Sequence, residues 1–206
     1  MSLQQQTVEA LLEAIAARTP TPGGGAVASL VGAIGVALSR MSLGYSINRR
    51  STEEQRRDIQ GAIEHLTAFG RQMLELAEQD AQAYARLDHL MRLPETDPDR
   101  LAQWGEAVRG AVRTPLAVVE ASCGFVGLLA TLAEMCNERL LSDLAIAAML
   151  GDAAARSGAW NVRVNLPLVA SADERLRLEA RLSEWVANAS GSAYLVEAAC
   201  RRRALL

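Results

Sequence analysis

The chain has 206 residues, half of them hydrophobic and 22% charged, with a formal net charge of −3. That balance excludes a disordered chain, and it leaves no basic excess to neutralise a phosphate backbone, so nucleic acid is not an expected partner. Three cysteines, Cys123, Cys136 and Cys200, lack any paired spacing and read as reduced thiols of a cytoplasmic protein; no signal-peptide pattern opens the chain.

From about Leu3 to Ala17, the residues Val8, Leu11, Leu12 and Ile15 recur at helical spacing and predict a short amphipathic helix. It gives way to Pro20-Thr21-Pro22-Gly23-Gly24-Gly25. The prolines keep the approach extended, and the glycines allow unusual backbone angles or a close neighbour. An uncharged helix follows, on which Gly25, Ala28, Gly32 and Gly35 share one face and invite a second backbone close to it. A helix start rich in free N–H groups also suits an anion or a polar ligand, and a plain packed core helix is the competing reading. Gly23-x-Gly25-x-x-Ala28 fits a dinucleotide fingerprint only superficially, because Thr19–Pro22 is no buried strand. The 17 uncharged residues from Gly23 to Ser39 fall short of a strongly apolar membrane span, so no membrane partner is expected.

The glycine-rich helix fades near Ile47, and Asn48-Arg49-Arg50 is a polar break. Ser51 or Thr52 can cap a helix running from Thr52 to Leu93, either one long pillar or two helices broken near Gly70. Pro94–Pro98 is a loop; a further helix starts at Asp99, kinks near Pro115 and reaches towards Glu134. Asn137 and Gly151 punctuate the next helical segment. Asn161–Pro167 alternates like a strand yet also fits a helix. Ala172 to Leu206 predicts a last amphipathic helix burying Leu176, Leu178, Leu182, Trp185, Val186, Leu195 and Val196. The expected fold is an all-α bundle of long helices, one domain over 1–206.

Two aspartates are out of place on this pattern. Asp80 interrupts the apolar stripe Leu66, Met73, Ala77, Tyr84, Leu87 and Met91, where an unpaired carboxylate costs several kcal/mol. It reads either as a general base with a raised pKa or as a structural partner for a helix end. Asp143 shares a helical face with Leu140, Ile146, Ala147 and Leu150; Ser142-Asp143 is equally a helix N-cap. Asn161 and Asn165 share a face in helix or strand, and could bind an amide-rich ring edge or satisfy loose backbone groups. Arg49 and Arg50 could hold a carboxylate. His65 and His89, the only histidines, read as surface residues; no metal-ligand cluster and no serine-nucleophile elbow is present.

The segments Pro20-Thr21-Pro22-Gly23-Gly24-Gly25, Asp80-Ala81-x-Ala83-Tyr84, Met91-Arg92-Leu93-Pro94, Thr114-Pro115-Leu116, Asn137 with Ser142-Asp143-Leu144, and Asn161-Val162-x-x-Asn165 resemble the cyclodeaminase/cyclohydrolase family in order and spacing. The resemblance implies an all-α homodimer with a folate site and chemistry at the one-carbon unit between N5 and N10 of tetrahydrofolate. It implies Asp80 and Asp143 as catalytic residues. It further implies Pro22, Gly23, Gly24, Gly25, Arg49, Asn137, Ser142, Asn161 and Asn165 as substrate-binding residues. No cofactor or metal is implied beyond the folate substrate. Methenyltetrahydrofolate cyclohydrolase is the first reading and formiminotetrahydrofolate cyclodeaminase the second; a non-catalytic helical dimerisation or ligand-binding protein on the same scaffold is the third. The chain departs from its resemblance at Ile47-Asn48-Arg49-Arg50, where relatives carry a Gly-Lys-Lys-Lys run. It also has Ala26 where Ser is frequent and Cys136 where Gly is usual.

Overall fold

The structure is a computed structural model that describes residues 2–49 and 51–204. Arg50, Leu205 and Leu206, with the expectations placed on them, lie outside the described residues. Six α-helices carry the chain: α1 (Val8–Ala16), α2 (Gly24–Gly44), α3 (Glu53–Met91), α4 (Pro98–Leu132), α5 (Leu141–Asn165) and α6 (Ala172–Ala204). Short 3-10 turns occupy Leu3–Gln5, Ala133–Met135, Glu138–Leu140 and Leu166–Leu168, and no strand occurs among the described residues.

The helix starts follow side-chain chemistry. The hydroxyl of Thr7 accepts from the Ala10 N–H and starts α1 there, so the expected helix from Leu3 is instead a 3-10 turn followed by a capped helix. Thr52 and Gln55 form a reciprocal capping box on α3. Asp97 caps α4 with Pro98 at its first position, one residue earlier than Asp99, where proline's missing N–H costs nothing. The segment ending at Asn165 is the last turn of α5, which decides between strand and helix.

α2 packs between α3 and α5, α4 packs on α3, α5 and α6, and α5 packs on α6. The small-residue face of α2 lets its neighbours close in. A Cβ on Gly35 would stand 3.0 Å from the Ala147 carbonyl oxygen, and one on Gly32 would stand 3.1 Å from the Met73 side chain. α3 runs unbroken through Gly70, which receives Val36. Gly151 does not punctuate α5; it sits mid-helix, where a Cβ would meet Val126 Cγ2 at 2.3 Å. One core gathers Leu43, Ile59, Leu66, Phe125, Leu129 and Leu144, and a second gathers Leu87, Leu90, Val112, Val162 and Leu182. Burying each such side chain is worth about 1.5–3 kcal/mol. By length and composition α2 and the Pro98–Met135 segment could each cross a membrane, but half of each apolar window is buried against the other helices. Cys136 and Cys200 are buried, Cys123 is half-buried, and none forms a disulfide.

Some expected core positions lie outside. Tyr84 and Met91 are 41% and 48% exposed, while Leu87 and Leu90 are buried. The stripe on α3 follows a seven-residue repeat, from which a straight helix drifts about 20° per heptad. Leu176 and Leu195 on α6 are likewise exposed, as are Val8 and Leu12 on α1, a helix with no buried residue.

Candidate active site

The PTPGGG segment leads into α2 through a cis Thr21–Pro22 peptide, and Gly23 precedes the first turn with no side-chain cap. The N–H groups of that turn have no partner within the helix. Asp80, two-thirds of the way along α3, fills the role from outside. Its carboxylate lies where a side chain on Gly25 would be: a Cβ there would stand 2.1 Å from Oδ1 and 2.4 Å from Cγ. The Ala26 N–H donates to it. Burial pushes the carboxyl up to about 6, and the Ala26 hydrogen bond only partly offsets that rise. Asp80 is therefore still mostly ionised at neutral pH but takes up a proton far more readily than an ordinary carboxylate, which suits a general acid–base group.

A cavity of about 280 Å³ opens beside this carboxylate, lined by Pro20, Gly23–Gly25, Asp80, Tyr84, Ala111, Asn161, Val164 and Asn165. α5 supplies the two asparagines from its last turns. Asn161 Nδ2 donates to the Ser157 carbonyl at 2.9 Å, and Asn165 Nδ2 donates to the carbonyls of Asn161 (3.0 Å) and Ala111 (2.9 Å). Each amide thus donates to the backbone, as the structural reading of these residues expects, and both side chains also line the cavity. Tyr84, Ala111 and Val164 complete the lining. Tyr84, a motif residue that the apolar stripe places in the core, is instead 41% exposed at the cavity, and Ala111 and Val164 carry no chemical signal in the sequence.

The other expected site residues gather at the opposite end of α2 and α5. Asn137 ties these ends together: its N–H donates to Ser46 Oγ at 2.8 Å, its Nδ2 to the Tyr45 carbonyl, and its Oδ1 accepts from the Arg139 N–H. Those bonds commit the Asn137 side chain to the backbone. Beside it lies a polar cavity of about 440 Å³ that includes Ser46, Ser51, Asn137, Arg139 and Arg203, with Arg49 exposed nearby in sequence. Arg203 spends its guanidinium on the carbonyls of Ala133 and Cys136. Ser142 and Asp143 lie in the first turn of α5, which Leu140 precedes without a side-chain cap, so the expected Ser-Asp cap is absent. Asp143 is eighteen residues from Asn161 along α5, roughly 27 Å at about 1.5 Å per residue. Within one chain Asp80 and Asp143 do not share a site. Among the described residues no group of three His, Cys, Asp or Glu is placed to hold a metal.

Residues 7–184 match the family described as Formiminotransferase-cyclodeaminase. The chain belongs to that family. It is 33% identical to the methenyltetrahydrofolate cyclohydrolase of Methylorubrum extorquens over 87% of this chain and 90% of that enzyme. It is 29% identical to the formimidoyltransferase-cyclodeaminase of Rattus norvegicus over 95% of this chain, which spans only 37% of the rat protein. The solved formiminotetrahydrofolate cyclodeaminase of Thermotoga maritima superposes with a TM-score of 0.87 at 26% identity, covering 97% of this chain and 98% of that one. The all-helical folate-enzyme family expected from the motifs is thereby established.

Proposed function

We propose that this member of the formiminotransferase-cyclodeaminase family hydrolyses 5,10-methenyltetrahydrofolate to 10-formyltetrahydrofolate. The observation that carries the reading is Asp80, a carboxylate with a pKa raised to about 6, pinned to the first turn of α2 on a cavity of about 280 Å³. The Methylorubrum cyclohydrolase, matched over nearly its whole length, supports it. In this reading Asp80 takes a proton from water as its oxygen bonds to the methenyl carbon. The carboxyl then returns that proton to N5 as the carbon–N5 bond breaks. The hydroxyl proton of the intermediate leaves to solvent, so one proton is released overall. The negative carboxylate also stabilises the delocalised substrate cation before attack. Loss of methenyltetrahydrofolate absorbance, well above the spontaneous rate and abolished in Asp80→Asn, is the expected result; no acceleration would overturn it.

The Thermotoga neighbour favours a second reading, cyclodeamination of 5-formiminotetrahydrofolate, in which the same carboxylate protonates departing ammonia. Ammonia release from that substrate distinguishes the two.

The protein acts as a homodimer in this proposal. α2 and α5 pack against each other where Gly35 meets Ala147 and Leu150. Both leave apolar side chains facing outward: Ile34, Met41 and Tyr45 on one, Ile146, Met149 and Trp160 on the other. A second copy crossing this face antiparallel would bring the Asp143 end of one chain to the Asp80 end of the other. The residues the motifs grouped together would then meet across the two-fold axis.

A further inference from the structure

Pro115 lies inside α4 and has no N–H, so the carbonyl four residues earlier, on Ala111, loses its helical partner. Asn165 supplies the missing donor from α5 through Nδ2 at 2.9 Å. The second proton on the same nitrogen goes to the Asn161 carbonyl at 3.0 Å. Both amide protons are spent on backbone, and a flipped amide would set its oxygen against two carbonyl oxygens. Asn165 can therefore offer the cavity only an acceptor, its Oδ1. Asn161 also commits Nδ2 to a carbonyl, that of Ser157, and its Oδ1 comes within 3.5 Å of where a Cβ on Gly24 would be. Together with the Asp80 carboxylate, the side chains lining the cavity present three sets of acceptor oxygens.

We infer that Asn165 is a specificity-determining residue that reads a ligand edge carrying adjacent N–H donors, with Pro115 as the positioning residue that fixes its orientation. This rests on the folate reading, in which the edge is the 2-amino group and N3–H of the reduced pterin ring, with Asn165 accepting from the 2-amino group and Asn161 from N3–H. A helix-breaking proline in the middle of α4 thus has a use: it leaves one carbonyl open, and that carbonyl orders the side chain that selects the ring.

The test measures equilibrium binding of 5-formyltetrahydrofolate and of its 2-desamino-2-methyl analogue by calorimetry. The wild-type chain is expected to prefer the 2-amino ligand by roughly 10- to 100-fold, the cost of leaving a buried acceptor unpaired. Pro115→Ala restores an N–H for the Ala111 carbonyl, releases Asn165, and should reduce that ratio with helical circular dichroism unchanged. The double variant Pro115→Ala/Asn165→Ala keeps every backbone carbonyl satisfied while removing the acceptor, so it folds even where Asn165→Ala alone does not. Its ratio should fall to within about twofold of unity. A double variant that retains the wild-type ratio overturns the inference, as does a wild-type chain that binds both ligands alike. Failure to bind either ligand overturns the folate reading beneath it.

Discussion

The carboxylate of Asp80 occupies the volume that a side chain on Gly25 would need, with Oδ1 2.1 Å and Cγ 2.4 Å from the position of a Cβ. Glycine at this position is what lets α3 deliver a charged group to the first turn of α2 and the Ala26 N–H. Gly25→Ala should displace the carboxylate and lower kcat/KM by about 10²-fold, the scale of a mispositioned acid–base group. Gly44→Ala is the matched control: its Cβ meets nothing within 4 Å. It should keep full activity and gain up to about 1 kcal/mol from helix propensity. Steady-state kinetics with thermal melts on both variants check the pair.

The raised pKa of Asp80 sets opposite trends for stability and activity. Its folded value of about 6 lies above the ordinary 3.8, so the folded state keeps the proton after the unfolded chain has lost it. Stability therefore falls as pH rises from about 4 to about 6 and stays lower above that. Asp80→Asn should recover at most about 3 kcal/mol at neutral pH and nothing below about pH 4, while turnover is lost. With the carboxylate as base, kcat/KM should rise through pH 6 to a plateau. Melts and rate profiles across pH 4 to 8 read both arms, and a flat rate profile would remove Asp80 from the proton-transfer role.

What could be read from the sequence was whatever has a local cause. The long α3, the proline loop and the last helix follow from caps and periodicity, and Asp80 stood out because a carboxylate on an apolar stripe needs a reason. The ring of partners around it is non-local. Nothing at Ala111 announces that Pro115 has opened its carbonyl to Asn165, 54 residues further along the chain at the end of α5. Tyr84 misled because a seven-residue repeat and a 3.6-residue helix part company over four turns. The motif residues at Asn137 and Asp143 could be grouped with Asp80 by resemblance, but spacing along α5 separates them in one chain.

Gly151 tests the packing of α5 on α4. A methyl there would approach Val126 Cγ2 to 2.3 Å and Phe125 Cε1 to 2.8 Å, in a region where both neighbours are fully buried. Neither can swing out to solvent. Gly151→Ala should cost roughly 1–3 kcal/mol by overpacking, whereas Gly127→Ala, with open space at its Cβ, should be neutral or stabilising. Chemical denaturation of the two variants decides it.

The separation of Asp80 from Asp143 makes the dimer proposal sharp. Along α5 the Asp143 end and the cavity end are roughly 27 Å apart. The apolar face between them, with Ile34 60% and Trp160 67% exposed, lies on the two helices that join both ends. If the partner's Asp143 completes the cavity, Asp80→Asn and Asp143→Asn chains are each inactive alone. After unfolding and joint refolding, half of the dimers are mixed, and each mixed dimer has one intact site, so about a quarter of wild-type activity should return. Ile34→Glu, which places a charge on the shared face, should yield a monomer by sedimentation and abolish that recovery. Full activity in a monomeric Ile34→Glu chain would leave Asp143 without a part in the reaction, and the cavity at Asp80 would then have to work with its own lining alone.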